Sequence, residues 1–124
     1  MIVLNRQKIE YVIESEQNLP VEKQSVFILV PISAKDFSEV QDRLVIENQG
    51  KKNATVKNIN SHSYDLLRLG LAGWKNVKDA DGKEIKFDTE EKDAMIDMIP
   101  IGIRYELSNV ISDITFINDD VKKK

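Results

Sequence analysis

Two groups of residues in this 124-residue chain have the types and spacing from which chemistry can be built. The first is WKNVKDADGKEIKFD, residues 74–88, where Asp79, Asp81 and Asp88 surround Gly82. A calcium loop places oxygen ligands at alternate positions around an obligatory glycine at position six and closes with a bidentate glutamate at position twelve. Setting Gly82 at position six puts Asp79 and Asp81 at three and five, but Val77 at one and Asp88 at twelve, so two ligands are of the wrong type. The segment therefore reads as a β-hairpin. Gly82 takes the left-handed turn position, Asp79 or Asp81 accepts hydrogen bonds from nearby backbone N–H groups, and Trp74 and Phe87 anchor the two arms.

The second group is Ser61, His62, Ser63 and Asp65, which contains the sole histidine and offers a nucleophile, a base and an orienting acid. Helical geometry works against a triad, because residues one or two positions apart point away from each other and cannot all serve His62. The expectation is a solvated polar helix face. One histidine without converging carboxylates gives no basis for a metal site either.

Composition narrows the remaining classes. The absence of cysteine excludes disulfides, thiolate catalysis and sulfur-ligated metals, which fits a reducing intracellular compartment. A net charge of −3 gives no global attraction to nucleic acid, and the terminal VKKK is too short for a basic stripe. No run approaches the roughly 18 apolar residues of a membrane helix, and the first residues lack the basic-then-apolar order of a signal peptide. The expectation is one soluble domain spanning 1–124, without internal repeats, large enough to bury roughly two thirds of its unfolded surface.

The elements that would position these residues follow from periodicity. Ile2–Leu4 and Ile9–Ile13 read as two short strands, with Ile9, Tyr11 and Ile13 on one face. SVFILVPI, residues 25–32, is the best buried strand, ended by Pro31. Ser33 caps a first helix with Asp36 at its third position and Phe37, Val40, Leu44 and Val45 on one stripe. A loop around Gly50 leads to a second helix from about Thr55 to Leu71, carrying Val56, Ile59, Leu66, Leu67 and Leu69–Leu71, with Tyr64 near the same side and Trp74 at its exit. A third helix starts at Asp88 and runs to Pro100, and a fourth begins there with Ile103, Leu107, Val110, Ile111 and Ile114 aligned. The fold class expected is α+β: a small N-terminal antiparallel sheet of about three strands, covered by about four helices, with the hairpin projecting at about 74–88.

Between Asp79 and Asp97 eight acids face three lysines. A solvated turn followed by a helix with acids in its first turn accounts for this, and a basic partner surface is the alternative. Trp74 is likewise a core residue or an interface anchor by type.

The order of features carries a resemblance. IEYV, then ESEQNLPVEKQSVFILVPIS, LAGWKNVKDADGKEIKF and IDMIPIGIRYELSNVI resemble a group of small proteins of tailed bacteriophages and prophages. Their pattern is W-x-N-[VF]-x-D-x-D-G-x-x-[IL]-x-F, then an acidic helix, a proline and a terminal helix carrying Glu-Leu. It is matched here by Trp74, Asn76, Val77, Asp79, Asp81, Gly82, Ile85, Phe87, Pro100, Glu106 and Leu107. At IPIGIRYEL this chain departs from the more polar helix start usual in that group.

The resemblance implies a non-enzymatic morphogenesis protein, similar to a tail-assembly chaperone, that binds a phage tail or other virion protein in the host cytoplasm. A structural subunit of the virion, from the tail or the head-to-tail region, is the alternative, and self-association is compatible with either. The residues expected to contact a partner are Trp74, Asn76, Phe87, Ile103 and Leu107; no catalytic residue, cofactor, metal, nucleic acid or membrane is expected. A small enzyme is the third and weakest reading.

Overall fold

Two strand-forming segments separated by the loop of residues 12–25 pair with each other. The computed structural model describes residues 7–43, 46–47, 55–56 and 59–116. Strand β1 (Ile9–Tyr11) pairs antiparallel with β2 (Val26–Leu29), which pairs antiparallel on its other side with β5 (Leu71–Lys75). The apolar run of β2 is thus the centre of a three-stranded sheet, where a strand is covered on both edges. Phe27 and Leu29 are buried while Val26 and Ile28 are half-buried, the alternation expected of a sheet with one packed face.

Helix α1 (Ala34–Asp42) follows β2 after Pro31. Ser33 Oγ accepts a 3.1 Å hydrogen bond from the Asp36 N–H, the cap anticipated from the sequence, and Phe37 and Val40 are buried. Beyond α1, two short strands, β3 (Ile46–Glu47) and β4 (Thr55–Val56), form an antiparallel ribbon. Helix α2 (Ile59–Gly70) then leads without a loop into β5. Helices α3 (Lys92–Asp97) and α4 (Ile101–Phe116) complete the α+β fold, with four helices among the described residues.

Three expectations change. The second helix begins at Ile59, not Thr55, because Thr55 and Val56 pair with Glu47 and Ile46; β-branched side chains suit that extended pairing better than a helical turn. Residues 71–75 form the third strand of the sheet, so Trp74 lies within a strand and not at a helix exit. The backbone groups on the free side of β2 need partners, and the LAGWK segment supplies them. The expected strand Ile2–Leu4 and the stripe positions Leu44 and Val45 lie outside the described residues.

One core cluster joins the layers. Leu29, Leu67, Leu71, Ile96, Leu107 and Ile111 have no exposed surface, and complete burial of such a side chain contributes about 1.5–3 kcal/mol. The predicted stripe of α4 is largely confirmed, with Leu107 and Ile111 at its centre and Ile103, Val110 and Ile114 packed at its margins. In α2, Leu66 and Leu67 are buried, whereas Leu69 is exposed.

Gly70 sets how closely α2 and α4 approach. A Cβ at this position would fall 2.6 Å from Ile111 Cγ2, inside any tolerated contact. The Gly70 carbonyl also accepts a 2.9 Å bond from the Val30 N–H, so the same residue ends α2, seats α4 and extends the pairing of the central strand.

Candidate functional site

Residues 74–87 form a structure organised around one indole. Trp74, on the edge strand β5 opposite Phe27, is buried, with its ring edge-on to Phe27 at 6.2 Å and to Phe87 at 5.1 Å between centroids. Its Nε1–H donates to the Ile85 carbonyl at 2.7 Å, satisfying the one polar atom of a buried ring. The second arm of the loop is thereby fastened to the sheet through a side chain rather than through a strand ladder.

Asn76 turns the chain out of β5. Its φ is 58°, a left-handed conformation that asparagine tolerates better than most residues. Its Nδ2 donates to the carbonyls of Glu22 and Gln24 at 3.2 and 3.0 Å, and its own carbonyl accepts from Ser25 Oγ at 2.8 Å. Asn76 therefore locks the loop before β2 against the exit from β5.

The turn itself matches the hairpin expectation in its chemistry and departs from it in length. Asp79 Oδ1 accepts from the N–H groups of Asp81 and Lys83 at 2.9 and 3.0 Å, and Gly82 has a φ of +83°. Pairing is confined to the Lys78–Glu84 bridge and its neighbours, including a 2.7 Å bond from the Ile85 N–H to the Val77 carbonyl, because Trp74 and Lys75 already belong to the sheet. The Asp79 carboxylate is turned onto its own backbone. Among the described residues no group of three or more His, Asp or Glu side chains is arranged to hold a metal ion.

His62, Ser63 and Asp65 each have a hydrogen-bond partner on α1 or α2 or at the end of α1. His62 Nε2 lies 2.6 Å from Gln41 Oε1, Ser63 Oγ donates to the Asn60 carbonyl at 3.0 Å, and the Asp65 carboxylate accepts from Arg43 at 3.0 Å. Burial lowers the imidazole pKa below its ordinary value, opposed in part by Asp65. His62 and Asp65 tie α2 to the end of α1, while Ser63 is bonded within α2.

At the other end of the fold, Glu106 joins the first strand to the last helix. Its carboxylate accepts from Tyr11 OH at 2.5 Å and from the Glu14 N–H at 2.8 Å. The Tyr11 phenol is pushed up to about 12, first by burial and then by the bond to Glu106 and the charges of Glu106 and Glu14.

Beside Trp74 opens an apolar cleft of about 320 Å³. Buried Ile13, Phe27, Trp74 and Ile99 form its floor, half-buried Val77, Ile85 and Ile103 its sides. Met98, half exposed, stands at its edge. The cleft draws on the first strand's exit, the sheet, the 77–85 turn and the α3–α4 junction, where Pro100 starts the last helix and its carbonyl accepts the Arg104 N–H.

The five residues expected to contact a partner divide between roles. Trp74 and Ile103 line the cleft; Phe87 packs on the indole; the Asn76 side chain is spent on the 22–24 backbone; Leu107 is wholly inside the core. Ile13, Phe27, Ile85 and Met98, which also line the cleft, carry no sequence signal beyond their strand, signature or helix positions. They come from separate segments, and no local spacing could have grouped them. The chain was compared with protein-family models, with curated proteins and with solved structures, and none matches.

Proposed function

We propose that this chain is a non-enzymatic morphogenesis protein of a tailed bacteriophage or prophage, a tail-assembly chaperone-like factor that binds a structural protein of the virion through apolar contacts. The observation that carries the reading is the position of the cleft: residues of the phage-like signature, Trp74, Val77 and Ile85, form part of its lining. Residues that resemble a family's pattern thus meet at a concave apolar surface of the kind that accepts amphipathic segments. The structural engagement of His62, Ser63 and Asp65 supports the non-enzymatic part of the reading. The protein acts in the host cytoplasm, without nucleic acid or membrane as a partner; no helix among the described residues is long and apolar enough to cross a membrane.

Co-expression of the tagged full-length chain with each tail protein of its own genome tests the proposal. Retention of one of them through purification is expected. A well-folded sample that retains none would overturn it.

A second reading, a virion subunit, draws support from the sheet. Strands β1 and β5 each pair only with β2 among the described residues, which leaves two edges for strand addition between neighbouring molecules. Mass spectrometry of purified particles separates the readings: a chaperone is absent, a subunit is present in fixed stoichiometry.

A further inference from the structure

The cleft beside Trp74 has a charge pattern as well as an apolar surface. Its two charged lining residues are Glu16 and Lys78. Glu16 is half-buried and held in place by the Ser25 N–H, which donates to Oε1 at 2.7 Å. Lys78 sits on the first arm of the turn, fixed in backbone position by its bridge to Glu84, and its ammonium makes no ion pair among the described residues. A cleft of about 320 Å³ is at the lower end of what small-molecule sites occupy, room for one or two side chains and not for an extended apolar ligand.

We infer that the cleft takes a bulky apolar side chain from a helical segment of a partner protein, with a basic residue of that segment meeting Glu16 and an acidic residue meeting Lys78. On a helix, residues three or four positions to either side of an anchor lie on the anchor's face, so one amphipathic turn and its neighbours supply all three groups. The apolar floor provides affinity. The two charges of opposite sign choose the sequence and its direction, since a reversed or like-charged segment would place repelling charges together. Met98 at the edge can adjust to anchors of different shape, as an unbranched thioether does. The inference rests on the partner-binding reading above but specifies the partner's chemistry.

Trp74 is the sole tryptophan, so its indole N–H gives one unambiguous NMR signal from inside the cleft. The probes are capped helical peptides of alanine and glutamine carrying a central phenylalanine, with lysine four positions before it and glutamate four after, the reversed order, and a version with neither charge. One charged order is expected to move the Trp74 indole signal and to bind at least tenfold more tightly than the other charged order. Lys78→Glu should weaken the preferred peptide at least tenfold and restore binding when its glutamate is replaced by lysine. Met98→Lys, on an exposed position that leaves the core untouched, should weaken every probe.

An indole signal that does not move at millimolar peptide, or charged and uncharged peptides that bind alike, would overturn the inference. If the co-expression experiment retains a tail protein while the peptides leave Trp74 unmoved, the partner-binding reading stands and this site assignment falls. If no tail protein is retained while the charge swap succeeds, the phage assignment falls and the cleft's chemistry stands.

Discussion

The indole N–H of Trp74 donates to the backbone carbonyl of Ile85 across 2.7 Å, joining an edge strand to the returning arm of the 77–85 turn. Trp74→Phe keeps most of the packing but leaves that carbonyl without its donor, so a loss of about 1–3 kcal/mol is expected. Trp74→Ala also opens a cavity between Phe27 and Phe87 and should cost about 3–5 kcal/mol. Urea unfolding monitored by circular dichroism measures both; equal costs would show that the hydrogen bond and not the ring dominates.

Gly70→Ala drives a methyl group into the Ile111 side chain, where three carbons lie within 2.9 Å of the new atom. Overpacking of this kind costs about 1–3 kcal/mol. In an Ile111→Ala background the same substitution should cost much less, because the obstructing atoms are gone. A double-mutant cycle with no coupling between the two positions would contradict the close approach of α2 and α4.

At Asn76 conformation and hydrogen bonding can be separated. Asn76→Gly keeps access to the left-handed backbone and loses only the bonds to the Glu22 and Gln24 carbonyls. Asn76→Ala loses both, adding about 1–2 kcal/mol for a left-handed residue with a Cβ. Thermal unfolding should therefore rank native above glycine above alanine, and an alanine variant as stable as glycine would remove the backbone from the account.

His62 predicts the pH dependence of stability. Burial depresses the folded-state pKa below the unfolded value of 6.5, so the neutral imidazole favours the fold. Its contribution is complete above pH 6.5 and is lost as pH falls through the lower folded value. The single imidazole resonance should titrate with a midpoint below 6.5, and His62→Gln should flatten the decline in Tm on the acid side of that value. A midpoint at or above 6.5 would mean that Asp65 outweighs burial.

How much of this was readable in the sequence depended on whether the determinant was local. The Ser33 cap, Gly82 in the left-handed region and the stripe of α4 all arise from residues within a turn or two of each other and are legible in the sequence, whereas Asp88 caps a short 3-10 turn, Thr89–Glu91, and the third helix starts only at Lys92. The third strand is not legible locally, because LAGWK, with Ala72 and Gly73 at its centre, has a weak strand signal on its own and becomes a strand through the free edge of β2. Thr55–Val56 failed for the same reason, its partner lying across the Gly50 loop. At the candidate site the same division holds. Of the residues expected to contact a partner, Trp74 and Ile103 line the cleft, whereas the side chains of Asn76 and Leu107 serve the backbone and the core, which only tertiary contacts reveal.

The bond between Tyr11 and Glu106 spans 95 positions of the chain. Together with a central strand whose second partner is β5, it means that the sheet and its covering are complete only when segments distant in sequence have come together. Contacts this distant must overcome loop-closure entropy before they return any stability, which slows folding relative to a helical bundle of equal length.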